Sequence, residues 1–218
     1  MPDLFGAFSY TWPIYMVGVA AYGLGSIPFG LLLTRWTGVG DIREIGSGNI
    51  GATNVFRTGH KRLALATLIL DFSKGIIAVV AAGIYGPDCA VMAGFCAVAG
   101  HMFPIWLKFK GGKGVATTFG VIFGFSWVIG ILSGLTWITV VVLFRYSSLG
   151  AIVSISVAPV FLTSLLFFQR NGEIPIWLPG QPQHIALFSL LALLVLVRHY
   201  QNIRRLLQGK ETAIFKRK

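Results

Sequence analysis

Three segments of the chain collect the polar residues that could bind or transfer a phosphorylated group. They are DIREIGSGNIGATNVFR at 41–57, GHMFPIWLKFKGGKGVAT at 100–117 and RHYQNIRRLLQGKE at 198–211. Each combines small residues or a helical stretch with cationic, hydroxyl or amide side chains, which suits an anionic ligand. If the fold brings them together, the chemistry they could share is the binding and orientation of phosphate groups.

The first segment contains a glycine-rich stretch, GSGNIG at 46–51, that formally matches a dinucleotide-binding fingerprint. That fingerprint is meaningful only between a strand and a helix of a βαβ unit. Here it lies between two apolar runs, so we exclude a dinucleotide fold. Small residues still allow successive backbone N–H groups to converge on a phosphate. An ordinary flexible turn explains the stretch equally well. The side chains that could add donors are those of Ser47, Asn49, Thr53 and Asn54.

The second segment places a lysine between glycines, in KGGKG at 110–114. It is not a nucleotide-binding P-loop, because Gly114 follows Lys113 where that motif needs Ser or Thr. A glycine-flanked lysine just before an apolar helix is nevertheless suited to bind an anion, since the helix N-terminus adds partial positive charge. The alternative is a basic loop that serves only to orient the chain in a membrane.

The third segment carries His199 and Asn202, three positions apart on a predicted helix and therefore on one face. Arg198, Arg204 and Arg205 surround them. No set of His, Cys or carboxylate residues in the sequence has convincing metal-ligand spacing. The sequence therefore predicts no protein-bound metal, and it gives no sign of a cofactor.

Asp71 and Lys74 are the only charged residues deep inside an apolar run. Isolated charges in a membrane are costly and are usually paired or functional. Their spacing of three permits an ion pair on a helix. We favour a structural pair over a proton relay.

The composition shows what must position these segments. Of 218 residues, 55% are hydrophobic and 11% charged, whereas soluble domains average about a quarter charged. Lipid must therefore solvate much of the surface. The net charge of +11 does not indicate nucleic-acid binding, because the basic residues lie in loops beside apolar runs, as membrane topology alone requires.

Hydropathy and span length predict an all-α, polytopic integral membrane protein with seven transmembrane helices. The predicted spans are 12–34, 63–85, 89–107, 115–126, 128–144, 149–168 and 184–197. The uncertain point is 115–144, which could form one long span or two short ones that meet near Ser126 and Trp127.

Charge distribution decides between these two topologies. With seven spans and a periplasmic N-terminus, all but two of the 18 lysines and arginines lie on the cytoplasmic side. The exceptions are Arg170 outside and Lys74 within a span. Fusing 115–144 into one span divides the basic residues almost evenly, against the positive-inside rule. The C-terminus is therefore predicted to be cytoplasmic, and residues 1–218 to form one transmembrane domain.

Taken together, the three segments resemble the signature regions of the bacterial acyl-phosphate:glycerol-3-phosphate acyltransferase family. GSIPFG at 25–30 and DFSKG at 71–75 also resemble that family, so the likeness runs through almost the whole chain. The HxxxxD signature of many other glycerolipid acyltransferases is absent from the sequence. There is also no Gly-x-Ser-x-Gly elbow beside a credible hydrolase triad.

The resemblance implies a monomeric enzyme of the bacterial inner membrane with its active site toward the cytoplasm. It would transfer a fatty acyl group from acyl phosphate to the 1-hydroxyl of sn-glycerol 3-phosphate, releasing lysophosphatidic acid and phosphate in phospholipid synthesis. By motif position, the implied catalytic residues are Ser47, His199 and Asn202. The implied phosphate- and substrate-binding residues are Gly46, Gly48, Asn49, Gly51, Thr53, Arg57, Gly112 and Lys113.

One position departs from the resemblance: Ala151 stands where some relatives are expected to carry serine, which puts one substrate contact in doubt. Either His199 or the donor's own phosphate could accept the proton of the attacking hydroxyl. Ser47 as a covalent acyl carrier is the weaker alternative, because no base is visibly paired with it. A small anion or lipid transporter would place its polar groups near the bilayer midplane and often show internal repeats, and this sequence shows neither.

Overall fold

The computed structural model describes residues 8–214, which form ten α-helices and two short 3-10 turns, with no β-strand among them. The 3-10 turns span Ile42–Glu44 and Ile105–Leu107. The helices are α1 Phe8–Gly25, α2 Phe29–Trp36, α3 Ala52–Arg57, α4 Lys61–Gly83, α5 Pro87–Met102, α6 Val115–Phe125, α7 Trp127–Phe144, α8 Ser147–Arg170, α9 Pro182–Arg198 and α10 Tyr200–Leu207. The all-helical prediction is confirmed.

Five helical stretches within the described residues are long and apolar enough to cross a membrane. A sixth crossing results if α9 and the bent α10 are counted as one span, and α6 has only 11 residues. The seven crossings and the orientation of the termini therefore stay predictions. Three of the basic residues predicted to be cytoplasmic, Lys216, Arg217 and Lys218, lie outside the described residues.

The chain breaks between α6 and α7, as the charge distribution predicted. α6 ends at Phe125, and Ser126 adopts an extended conformation before α7 begins at Trp127. The Ser126 hydroxyl accepts a hydrogen bond from the Ile129 backbone N–H at 3.4 Å, which caps the new helix. Two separate helices therefore occupy 115–144.

The first predicted span, 12–34, agrees with the apolar stretch Thr11–Trp36, which consists of two helices, α1 and α2. Pro28 lacks a backbone N–H and disfavours helical geometry at Ile27, and the chain breaks between α1 and α2 there. Other side chains satisfy the freed carbonyls. The Trp106 indole Nε1 donates to Ser26 O at 2.7 Å, and Lys74 Nζ donates to Ile27 O at 3.1 Å.

Close helix packing through glycine fixes where α6 begins. A Cβ on Gly75 of α4 would lie 2.3 Å from the Thr117 carbonyl oxygen, and one on Gly120 of α6 would lie 2.0 Å from the Phe72 carbonyl oxygen. Only glycine allows the two backbones to approach this closely, as in other membrane helix pairs. Because α4 holds α6 in this way, the loop that precedes α6 has a defined position beside α4.

Candidate functional site

The three polar segments meet at one cavity of about 570 Å³. Ser47 lines it from the loop before α3, Lys113 from the loop before α6, and His199 from the bend between α9 and α10. The expectation that the bundle brings these distant segments together is confirmed.

The loop at 46–51 owes its shape to Asn54. Asn54 is buried, its Oδ1 accepts from the Ser47 backbone N–H at 2.9 Å, and its Nδ2 donates to Ile42 O at 3.0 Å and Ile45 O at 2.8 Å. Gly46 has a φ of 61°, in the left-handed region that favours glycine. The amide hydrogens of Asn54 are thus already used, so Asn54 shapes the loop and has none left for a ligand.

Three other side chains of the segment 41–57 make polar contacts near the cavity. Asn49 Oδ1 accepts from the Gly51 N–H at 3.0 Å, and the hydroxyls of Thr53 and Ser147 lie 3.3 Å apart. Arg57 ends α3 and donates from Nη2 to Thr212 O at 3.3 Å. Its buried Nε has no hydrogen-bond partner. A partly exposed guanidinium with one unused, buried donor is suited to bind an anion.

Lys113 lies in the loop between α5 and α6 and points its ammonium group at α10, where Nζ donates to Asn202 Oδ1. Burial lowers the pKa of Lys113 to about 8. Arg198 fixes the preceding loop, donating to the carbonyl oxygens of Gly111 at 2.9 Å and Gly112 at 3.0 Å. Lys113 is therefore held in place by its neighbours and is incompletely solvated.

His199 sits at the bend after α9 and is 2% exposed. Its Nδ1 lies 2.8 Å from the Val195 carbonyl oxygen. A carbonyl can only accept, so Nδ1 carries the proton and Nε2 keeps its lone pair. Burial, together with the nearby Lys113 charge, lowers the pKa of His199 to about 4. The imidazole is therefore neutral at physiological pH and is a weak base.

Glu211 connects this part of the site, although the sequence analysis did not single it out. Its Oε1 accepts from Asn202 Nδ2 at 2.7 Å and from the Ser148 hydroxyl at 2.9 Å, and its Oε2 accepts from Arg205 Nε at 2.8 Å. Burial alone would raise the pKa of Glu211, but these hydrogen bonds lower it. A signal was present in the sequence, because Glu211 is an isolated acidic residue in a strongly basic tail.

The same cavity extends from these polar groups along an apolar wall formed by α4, α6 and α7. Gly130 and Gly134 of α7 also line it. The apolar residues of this wall are Leu68, Ile69, Phe72, Phe119, Phe123, Trp137 and Ile138. One site can therefore hold a charged group at one end and a hydrocarbon chain along its length.

Comparison with known proteins identifies the family. A sequence model of glycerol-3-phosphate acyltransferase matches residues 15–209. A glycerol-3-phosphate acyltransferase of Rhodospirillum rubrum is 50% identical, with 94% of both chains covered. One of Brucella anthropi is 49% identical over 91% of this chain and 93% of its own. The chain belongs to the glycerol-3-phosphate acyltransferase family.

Solved structures of this family share the fold. PlsY (YgiH), an integral membrane glycerol 3-phosphate acyltransferase, is similar in its glycerol 3-phosphate form with a TM-score of 0.82 and 34% identity, over 93% of this chain and 96% of that one. Its lysophosphatidic acid form gives a TM-score of 0.80 and 33% identity, over 92% and 94%. The membrane-protein class predicted from hydropathy is thus confirmed.

In this family member, most residues singled out from the sequence line the cavity. Gly46, Gly48 and Gly112 lie outside its wall and contribute to the backbone behind it. Ala151 lines the cavity as a buried residue. Within residues 8–214, no cluster of three or more His, Cys, Asp or Glu side chains could hold a metal ion. The residues brought together are Ser47, Asn49, Gly51, Thr53, Arg57, Lys113, His199 and Asn202.

Proposed function

We propose that this protein transfers a fatty acyl group from acyl phosphate to the 1-hydroxyl of sn-glycerol 3-phosphate. The products are lysophosphatidic acid and inorganic phosphate, in the first acylation of phospholipid synthesis. The activity resides in a single transmembrane domain over residues 1–218, acts as a monomer and needs no metal or cofactor.

The observation that carries this proposal is that cationic and apolar surfaces line one continuous cavity. Arg57 and Lys113 supply positive charge at one end, and the wall between α4, α6 and α7 supplies hydrocarbon contact along the rest. Both proposed substrates carry a phosphate, and the donor also carries an acyl chain. The site therefore matches a phosphate head with a lipid tail.

The proposed reaction is a direct transfer between the two substrates. The glycerol oxygen attacks the acyl carbonyl carbon and forms the new ester bond. The bond from that carbon to the bridging phosphate oxygen then breaks, and its electron pair leaves with the phosphate. Acyl phosphate is already activated, so the protein contributes mainly orientation and charge stabilisation. Arg57 and Lys113 stabilise negative charge on phosphate, and His199 and Asn202 orient the attacking hydroxyl.

The phosphate of the donor is the better candidate to accept the hydroxyl proton. His199, with a pKa of about 4, is a weaker base than the phosphate that leaves the donor, since even a phosphate monoester dianion has a conjugate acid with a pKa of about 6. His199 Nε2 then accepts a hydrogen bond from the hydroxyl and aligns it. Within residues 8–214, no His or carboxylate hydrogen-bonds the Ser47 hydroxyl, which argues against Ser47 as a covalent acyl carrier.

Purified protein given acyl phosphate and glycerol 3-phosphate should release inorganic phosphate and form lysophosphatidic acid. The matched reactions replace acyl phosphate with acyl-CoA or acylated carrier protein and should yield no product. Turnover with a thioester donor alone would overturn the donor assignment. Chelator should leave the rate unchanged, and a loss that one divalent metal restores would contradict metal independence.

We also propose seven crossings of the bacterial inner membrane, with the cavity mouth on the cytoplasmic side. The short α6 and α9 supply the two crossings beyond the five long stretches, and α10 follows on the cytoplasmic side. Support comes from the basic residues, which concentrate in the loops and tail around the site. A reporter fused after Lys218 should indicate the cytoplasm, and one inserted between Asn171 and Gly172 should indicate the periplasm. Both reporters on the same side would contradict seven crossings.

A further inference from the structure

A buried polar cluster lies at the wall of the candidate site. It consists of Asp71 and Lys74 of α4 and His101 of α5, which are 2%, 1% and 5% exposed. Lys74 Nζ donates to Asp71 Oδ1 at 2.8 Å and lies 2.7 Å from His101 Nδ1. The ion pair predicted from the spacing of Asp71 and Lys74 is therefore present, and it includes a histidine from a second helix.

The cluster fixes the orientation of the His101 ring. An ammonium group can only donate, so Nδ1 of His101 accepts from Lys74 and a neutral ring carries its proton on Nε2. Asp71 Oδ1 lies 3.5 Å from the same Nδ1. Lys74 also donates to Ile27 O at the break between α1 and α2. Lys74 thus links the His101 ring to the break between α1 and α2, and the far edge of the ring faces the loop before α6.

That far edge lies against Gly112. A Cβ at position 112 would come within 2.1 Å of His101 Nε2. The Gly112 N–H also donates to the His101 carbonyl at 3.0 Å. On the other side, Arg198 donates to the Gly112 carbonyl at 3.0 Å. Gly112 is therefore held between His101 and Arg198, and Lys113 is the next residue.

We infer that Asp71, Lys74 and His101 are positioning residues that set the place of Lys113 by supporting Gly112 through the His101 ring. The inference rests on the proposed role of Lys113 in binding phosphate. Asp71 and His101 also line the cavity, and we assign the cluster no contact with substrate. Because Lys74 holds the His101 ring, Gly112 keeps its position and the Lys113 ammonium stays within reach of Asn202.

Fold stability alone does not explain a charged cluster at this position. Burying an ion pair loses hydration free energy that its attraction often fails to recover, and apolar replacements of similar size are often neutral or stabilising. In a membrane span the cost of a buried charge is high. A role in placing the Lys113 loop accounts for the cluster where a stability role does not.

The first test is a double-mutant cycle on kcat/KM. Gly112→Ala puts a methyl group where the His101 ring stands, and His101→Ala removes the ring. Each single change should lower kcat/KM by up to about a hundredfold, because displacing a binding group by about 1 Å can have that effect. In the double variant the space for the methyl is restored, so the combined loss should be much smaller than the product of the two. Losses that simply multiply would overturn the inference.

A second test separates positioning from stability. The double variant Asp71→Leu, Lys74→Met replaces the ion pair with apolar side chains. It also leaves the Ile27 carbonyl without its donor, so its thermal midpoint is measured and its activity is compared with wild type well below that midpoint. It should still lower kcat/KM at least about tenfold, because His101 loses the partner that orients it. Its alkaline pH limit should also rise, because a displaced Lys113 is better hydrated beside Glu211, Arg205, Arg57 and Arg198. Wild-type kcat/KM and an unchanged alkaline limit in this variant would contradict positioning.

The matched control is His184→Leu. His184 is also buried, and it packs on Phe125 with ring centroids 4.2 Å apart, away from the Lys113 loop. Its replacement should leave kcat/KM within about threefold of wild type, whatever it does to the thermal midpoint. If Lys113→Ala keeps full activity, the proposed function fails. If it loses activity but the cycle shows no coupling, only the present inference fails.

Discussion

The two ends of the cavity are built in different ways. At the polar end, hydrogen bonds hold the backbone in place. Asn54 makes several within the loop before α3, Arg198 ties α9 to the loop before α6, and Glu211 ties the tail to α8 and α10. At the apolar end, the wall consists of ring and aliphatic side chains from α4, α6 and α7. Several of these, such as Leu68, Ile69 and Ile138, are also exposed on the outer surface, where lipid would contact them.

This difference indicates how each end tolerates change. Hydrogen bonds are directional, so a displaced donor or acceptor in a buried network loses its interaction outright. Apolar contact is non-directional and roughly proportional to area, so it adapts to small changes of shape. We therefore expect large losses of rate from substitutions at the polar end, and shifts of substrate preference from substitutions along the wall.

The largest effect should come from Lys113→Ala. Removing one preorganised charge contact costs about a hundredfold or more in rate, so turnover should nearly vanish while the protein still inserts and purifies. The matched control is Lys110→Ala, since Lys110 is exposed in the same loop and its charge is explained by topology alone. Phosphate release measured at saturating substrates compares the two. Equal losses from both variants would contradict the assignment of Lys113 to the site.

His199 should show the next largest effect. His199→Ala should lower kcat strongly, because a group that orients or deprotonates the hydroxyl contributes about a hundred- to ten-thousandfold. His199→Gln should stay within about tenfold of wild type, since it can still accept a hydrogen bond but cannot take the proton at neutral pH. A Gln variant as slow as the Ala variant would assign proton transfer to His199. Wild-type turnover in both His199→Ala and Asn202→Ala would contradict the assignment of these two residues to the site.

The pH dependence of kcat/KM should reflect the ionisation of Lys113 and not that of His199. Lys113 binds phosphate as the cation, which is present below its pKa of about 8 and lost above it. kcat/KM should therefore fall above about pH 8. The pH above which kcat falls should be higher, because bound phosphate stabilises the Lys113 cation. Lys113→Arg should remove the alkaline fall, since arginine stays protonated. A limit between about pH 6 and 7 that disappears in His199→Gln would contradict the low pKa of His199.

The smallest effect on the overall rate should come from a substitution in the apolar wall of the cavity. Gly134 lines the cavity, and a Cβ there would meet nothing within 4 Å. Gly134→Leu should therefore project into the cavity and lower kcat/KM for long acyl phosphates more than for short ones. The matched control is Gly23→Leu in α1, where a Cβ also has open space but the residue does not line the cavity. The effect is measured as kcat/KM for acyl phosphates of several chain lengths. An equal loss of kcat/KM at all lengths would show that Gly134 does not lie beside the bound acyl chain.

Much of this architecture could be predicted from the sequence because it follows from local chemistry. The low charge fraction required a membrane, and the distribution of lysine and arginine separated α6 from α7 at Ser126. Helical spacing alone predicted that Asp71 and Lys74 form an ion pair and that His199 and Asn202 share a face. The signature segments indicated the family before any three-dimensional information was considered.

The structural details that could not be predicted depend on contacts between residues that are distant in sequence. The break at Pro28 is stabilised by Trp106 and Lys74, which satisfy the carbonyls that the break exposes. Glu211 stands out in the sequence only as an isolated acidic residue in a basic tail, and its role follows from contacts with Ser148, Asn202 and Arg205. Asn54 could be read as a ligand donor until its internal hydrogen bonds were known.

By itself, the sequence determined which residues are polar, which segments are apolar enough for lipid, and which family the chain resembles. Each of these properties depends on residue type and on spacing within a few turns of helix. Only the tertiary structure decided that the His101 ring lies against Gly112. It also decided that burial lowers the pKa of Lys113 to about 8 and the pKa of His199 to about 4. Burial and contact across the bundle depend on how α4, α5, α6 and α9 pack, and helical periodicity does not determine that packing.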